Sequence, residues 1–260
     1  MVAIDAAHHN FHTADGRYAP FATVLRNDGF RVVSLDETIT RASLAPVQVL
    51  VIANALDASN VKSWKLPTPS AFTDEEVETL RQWVSEGGSV LVIADHMPFA
   101  GAIQKLAAAF GFAFDNDYAA KGDGSAPEVF SRSAGTLPEN EITRGTRGGA
   151  GVTEVQTFIG SSFRAPAGAI PLMLMDDGWT LFEPSAAGKF NETTPRRAAT
   201  SQDLRGAALA FGEGRVVVIS EAAFLTNQIV NGAPYGFGLP TAAQDKQFLL
   251  NVVEWLGRAP

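Results

Sequence analysis

All four histidines of the chain fall where two predicted strands end. His8, His9 and His12 follow the apolar run at residues 2–5, and His96 follows the run at 90–94. Neutral imidazole is a favoured ligand for zinc and related divalent metals. If residues 7–13 take a helical turn, His8 and His12, four positions apart, share a face and could chelate one ion. His96 would complete a three-histidine metal set, leaving an open position for water whose pKa zinc can bring near ~7. Glu221 follows another predicted strand and is placed to act as general base or fourth ligand. Asp5 and Asp95 could orient an imidazole through its second nitrogen, and His9, Asn54 and Ser220 are candidate substrate contacts.

Each of these residues also has a purely structural reading. His8 and His12 can hydrogen-bond their own loop, Asp5 and Asp95 can cap the helices that follow them, and Glu221 can favour a helix N-terminus by its charge. Ser220 lacks the flanking glycines of a nucleophile elbow.

Such a set converges only if the elements carrying it share one edge. Short apolar runs alternate with amphipathic stretches, the pattern of β-α units building a mostly parallel, doubly wound α/β sheet. Strands are expected at 2–5, 30–35, 47–53 and 89–94. Helices are expected at 17–28, closed by Gly29, and after Thr73, which forms a capping box with Glu76 ahead of Val77, Leu80 and Val84. Another follows Pro98 through Ile103, Leu106 and Phe110, and the last carries Phe248, Leu249, Val252, Val253 and Leu256 before Gly257. Residues 152–158, 170–175 and 179–182 read as strands, the last two joined as a hairpin through Asp176-Asp177-Gly178. A second hairpin spans 207–219 around Gly212-Glu213-Gly214. Segments 115–150 and 184–205 are polar and read as long loops, either lids or disordered. Their arginines, Arg144, Arg147, Arg196, Arg197 and Arg205, are candidates to clamp an anion or simply to face solvent. In open sheets of this kind ligands bind beyond the carboxyl ends of the strands, where all the candidate residues lie.

Composition narrows the chemistry. A chain of 260 residues, 46% hydrophobic, can bury the core of one α/β domain, residues 1–260. A net charge of -8 argues against nucleic acid or an anionic membrane as partner and for a small-molecule substrate. The absence of Cys removes thiolate ligands and cysteine nucleophiles. No apolar run approaches the ~20 residues of a membrane span. The short first strand would fit removal of an export signal; otherwise location, like oligomeric state, is left open.

The opening from Asp5 to Phe21 (DAAHHNFHTADGRYAPF), IADHMPFAGA from Ile93, ISEAAF from Ile219 and QFLLNVVEWL from Gln247 resemble a poorly characterised bacterial family. That family lies in the class I glutamine amidotransferase-like superfamily, near the trehalose-utilisation-like proteins. The resemblance runs along nearly the whole chain and implies a flavodoxin-like sheet. In that superfamily a catalytic Cys follows the strand that here ends at Ile93; this chain has Ala94, so ammonia release through a thioester is excluded. The expectation is a metal-dependent hydrolase of a small ester, phosphoester or sugar-related molecule. The alternative is a non-catalytic small-molecule or sugar-binding module on the same fold.

Overall fold

The computed structural model describes residues 1–124, 127–145, 150–230 and 232–257. The first four strands, β1 (Val2–Asp5), β2 (Val32–Leu35), β3 (Val49–Ala53) and β4 (Ser89–Ile93), belong to its parallel core, with helices α1 (Ala19–Asn27), α2 (Arg41–Leu44), α3 (Asp74–Ser85) and α4 (Phe99–Ala108) between and after them. Downstream come β5 (Ala113–Phe114), β6 (Tyr118–Lys121), β7 (Glu128–Ser131), β8 (Glu154–Thr157), β9 (Phe163–Arg164), β10 (Ile170–Leu174), β11 (Trp179–Phe182) and β12 (Arg196–Ala198). The chain ends with β13 (Leu204–Phe211), β14 (Gly214–Ile219), β15 (Asn227–Val230), β16 (Ala233–Gly236) and helix α5 (Asp245–Leu256).

The main sheet runs β2-β1-β3-β4-β14-β13-β9-β5, with β10 also paired to β13. β2, β1, β3, β4 and β14 are mutually parallel; β13 turns back antiparallel on β14. Both faces are covered, which is why β3 is apolar throughout and β4 is apolar at every position after Ser89, rather than alternating. Val51, Leu91 and Val217 pack with Phe21 and Leu25 of α1 and Phe248 and Val252 of α5. Their neighbours Leu50, Val90 and Val218 pack on the other face with Leu80 and Val84 of α3 and Ile103 and Leu106 of α4. The period-two alternation of the strands thus feeds two separate cores.

Local signals are obeyed closely. Thr73 Oγ1 accepts from Glu76 N, and Glu76 Oε2 accepts from Thr73 N, the reciprocal cap expected of this pair. β13 and β14 pair with Phe211 opposite Gly214, the turn between them held by Gly212 at φ 60°. A Cβ at Gly212 would sit 2.5 Å from the Ser85 carbonyl oxygen, so this turn also needs glycine for room.

Three expectations fail for the same reason, the choice of a distant pairing partner. The Asp176-Asp177-Gly178 turn does not join a hairpin: β10 pairs with β13, whereas β11 pairs with β6 and β12 in a separate sheet, so the turn carries the chain between sheets. The segment expected as a loop at 115–150 contains β6 and β7, the latter paired with β8. The polar stretch 184–205 contributes β12. Arg197 there is latched to Asp115 and Asp203, each at 2.7 Å, and Arg205 is wholly buried, so neither arginine is a mobile anion clamp. Arg147 lies outside the described residues.

Leu80 has no solvent exposure at the centre of the α3 interface. Leu80→Ala is expected to lower unfolding free energy by about 2–5 kcal/mol. Urea denaturation should show this as a reduced midpoint at constant m-value.

Candidate functional site

The parallel register brings the carboxyl ends of β1, β3, β4 and β14 to one edge. Asp5, Asn54, Asp95 and Glu221 emerge there, as expected, but the structure divides them between two buried networks with different roles.

The first network is centred on His8. Its Nδ1 lies 2.9 Å from both oxygens of Asp5, and its Nε2 lies 2.9 Å from Glu76 Oε1. Phe72 covers the ring at 4.3 Å. Burial works against charge on this imidazole, but hydrogen bonds and attraction from Asp5 and Glu76 outweigh it and raise the pKa above 6.5. For Glu76, burial is likewise outweighed, by the Thr73 backbone N–H and by His8, and its pKa falls below 4.5. Asp5 also accepts from Asn10 Nδ2, fixing the loop, with His9 in the left-handed region at φ 48° and exposed to solvent. Asp5 and His8 therefore hold the end of β1 against α3 and the turn preceding it.

His12 is buried between Phe11 and Tyr18, at ring separations of 5.5 and 4.7 Å. Burial, with a smaller contribution from Arg17, lowers its pKa to about 3, so the ring is neutral. Asn54 Nδ2 donates to His12 Nδ1 at 3.1 Å, and Asn54 Oδ1 accepts from Asp95 N at 2.8 Å. Asn54 sits at φ 50°, a conformation its short amide side chain tolerates. Both ends of that side chain are spoken for, so it is a bracket between loops rather than an open substrate contact. Ser220 is buried too, its Oγ donating to the Ser161 carbonyl at 2.7 Å.

The zinc centre expected from His8, His12 and His96 is not assembled. Among the described residues no group of three or more His, Asp or Glu is arranged to hold a metal ion. The donor chemistry gives the reason: both nitrogens of His8 face carboxylates, and His12 Nδ1 is taken by an amide.

The second network opens to a cleft. Its inner lobe, about 400 Å³, is lined by Asp95, His96 and Glu221 on one side and by Gln228, Pro234 and Tyr235 of the β15–β16 hairpin on the other. An outer lobe of about 590 Å³ shares His96, Gly124 and Ile159 with it. Each lies within the range of about 300–1,000 Å³ usual for small-molecule sites. His96 Nδ1 is 2.7 Å from the Met97 carbonyl, an acceptor only, so Nδ1 carries the proton and Nε2 is left as an acceptor. Burial lowers the His96 pKa to about 4, with Arg205 nearby adding to the effect, which keeps the ring neutral.

Glu221 accepts from Ala223 N at 2.6 Å and Phe224 N at 3.0 Å, the cap its position had suggested. Asp95 Oδ1 accepts from His96 N. Burial pushes the pKa of both carboxyls up, and the charge of Asp95 raises Glu221 further, so the pair retains a proton at neutral pH. Behind them lies Arg205, which sequence reasoning had put in a polar loop. Its guanidinium donates to the carbonyls of Ser161, Ser220 and Ala119 and to Glu128 Oε2 at 2.6 Å, with Trp179 stacked at 5.0 Å. The signal available was a lone charge inside the run 204–211, otherwise uncharged and largely apolar. Gly160 seals this floor: a Cβ there would lie 2.0 Å from the Ser220 carbonyl oxygen.

A doubly wound sheet with a ligand-sized cleft beyond its carboxyl edge defines the class: an open α/β protein. The chain belongs to the family described as domain of unknown function DUF4350, whose profile matches residues 13–231. Among solved structures it is similar to the mmIFT52 N-terminal domain, at 15% identity and TM-score 0.68, covering 100% of this chain and 98% of that one. It is also similar to two cytoplasmic proteins of Salmonella typhimurium. One, from strain LT2, has 14% identity and TM-score 0.59 with 99% of each chain covered. The other has 12% identity and TM-score 0.55, covering 99% of this chain and 98% of that one. These likenesses concern the fold. No curated protein sequence matches the chain.

The His8 network makes a signed prediction. Its pKa is raised, so its contribution is complete below pH 6.5 and disappears as pH rises through the folded-state value; that of Glu76 is present above pH 4.5 and disappears as pH falls. His8→Gln should cost about 3–5 kcal/mol where His8 is charged, because two buried carboxylates lose their partner. The gap between wild type and variant, measured by urea titration, should shrink from pH 6 to pH 9. Equal gaps at both pH values would rule out a charged His8.

Proposed function

We propose that this protein is a small-molecule-binding α/β domain of the class I glutamine amidotransferase-like superfamily, using the cleft beyond β4 and β14. The observation that carries this reading is the cleft itself: Asp95, His96 and Glu221, with Gln228 and Asp123, line a cavity whose other side chains are mostly apolar and aromatic. The groups are held from behind, the Asp95 backbone by Asn54, the Asp95 carboxyl by the His96 N–H and Glu221 by the turn at 223–225, so the site is pre-organised. No metal enters this reading, since the expected histidine donors do not fit one.

A second reading, acid–base hydrolysis of a small ester or sugar-related molecule, is favoured by one specific feature. A protonated carboxyl of the Asp95–Glu221 pair would donate, and neutral His96 would accept, in the same cavity. Opposite pKa displacements in neighbouring groups are the usual arrangement for such work.

Ile159 sits in the neck shared by both lobes and is 41% exposed, so Ile159→Trp should fill the cleft while changing stability by no more than about 0.5 kcal/mol. Thermal-shift and NMR screening of a panel of neutral, anionic and cationic small molecules should yield ligands that wild type binds and this variant does not. A panel with no such ligand overturns the binding reading. For the second reading, Glu221→Gln should abolish turnover of nitrophenyl esters or glycosides by wild type while leaving ligand binding within about threefold. Absence of turnover in wild type removes it.

A further inference from the structure

The outer lobe has a chemistry of its own. Its walls are Trp64, Tyr118, Phe182 and Phe190, with His96 at the junction. Tyr118 and Phe190 meet edge to face at 5.1 Å and 88°, and Phe190 and Phe182 at 5.7 Å and 68°, so adjoining walls stand at steep angles to one another. His96 stacks on Tyr118 at 4.1 Å, and Trp64 stands 6.3 Å from His96 at 61°. The result is a box of ring surfaces rather than a flat greasy patch.

The charged side chains that line the two lobes are of one sign. Among the described residues lining either lobe, the charged side chains are Asp95, Asp123 and Glu221, with neither lysine nor arginine among them. The lining offers an anion no lysine or arginine to pair with. A neutral apolar ligand would gain from the rings but leave the carboxyl groups without a role. A cation gains from both, because the π-face of each ring is its negative side and carboxylates complement the charge. Phe182 already receives a cation in this way, with the Arg196 guanidinium 5.9 Å from its ring centroid.

The kind of cation follows from the scarcity of hydrogen-bond acceptors in the aromatic lobe. A primary ammonium is strongly hydrated and loses water with difficulty against apolar walls. A quaternary or fully methylated ammonium carries its charge on an apolar surface and needs no acceptor. We propose that the outer lobe binds an organic ammonium ion of this type, with the polar remainder of the ligand directed toward Asp95 and Glu221. The proposal rests on the reading of the cleft as a small-molecule site and adds the ligand class.

The test is a pair of probes of the same shape that differ in charge: choline and its uncharged isostere 3,3-dimethylbutan-1-ol, titrated calorimetrically at one pH and ionic strength. Choline should bind at least about tenfold more tightly. Phe190→Leu keeps apolar bulk but removes a ring face, and at 49% exposure the residue can change without unfolding the chain. It should weaken choline by roughly 3- to 30-fold and the alcohol by no more than about twofold. Trp64→Leu is an independent second variant with the same expected pattern. Equal affinities for the two probes, choline binding unmoved by both variants, or no choline binding at tens of millimolar each overturn the ammonium proposal. In any of these cases a ligand displaced by Ile159→Trp leaves the cleft reading standing. If no ligand of any class responds to Ile159→Trp, both fall.

Discussion

One guanidinium, buried in the middle of the molecule, organises everything around the cleft. Arg205 has no solvent exposure, and removing such a charge from water is costly unless its donors are met. Its two terminal nitrogens are met from several directions at once, by the Ala119 carbonyl of β6, the Ser161 carbonyl before β9, the Ser220 carbonyl after β14 and the carboxyl group of Glu128 on β7, while Nε has no partner among the described residues. The parallel core and the added antiparallel strands are thereby referred to a single point. The same charge lies among buried carboxyls, Asp95, Asp117, Glu128 and Glu221, whose proton affinities are all raised by burial and partly restrained by it. Around Arg205 this acidic cluster is held as much by retained protons as by ion pairs.

This arrangement separates two tasks that the sequence runs together. The opening motif from Asp5 to Tyr18 looks chemical because it is rich in histidine, yet the imidazoles of His8 and His12 are engaged in holding β1, β3 and α3 in place, and His9 is exposed. His8 has a carboxylate at each nitrogen, and His12 is neutral and packed between rings. The polar groups that line the cavity come instead from the ends of β4 and β14, His96 partly exposed and Asp95 and Glu221 buried at its floor. Pre-organisation of the cleft is thus built from residues that never reach it. Asn54 illustrates the point: its amide ties the His12 loop to the backbone of Asp95.

What the sequence made legible was whatever is decided within a few residues. The Thr73–Glu76 cap, the glycine at the β13–β14 turn and the continuous apolar runs of β3 and β4 depend on neighbours, and each appears as expected. What escaped was decided at long range. β6 and β7 lie among Gly, Ser and Asp and carry little periodicity, because their order comes from β11 and β8. Asp176-Asp177-Gly178 has good turn chemistry, but turn chemistry cannot say which strand lies beside which. For the site, the shared edge was readable, since parallel strands dictate it. The metal set was not, because the partner that occupies His8, Glu76, is 68 residues away and had already been explained as a cap. A carboxylate can serve two masters, one oxygen on the helix terminus and one on the imidazole, and nothing in the spacing reveals the second.

The β15–β16 hairpin forms its own two-stranded sheet, apart from the main ladder. It is fastened by Phe237 N to the Thr226 carbonyl, by Tyr235 against Phe158 and by Arg17 to Gln228. Since this hairpin supplies the far wall of the inner lobe, the width of the mouth can vary at the expense of a few peripheral contacts while the central strands stay paired. Exchange of any molecule the cleft held would then depend on the contacts of this hairpin rather than on opening of the central sheet.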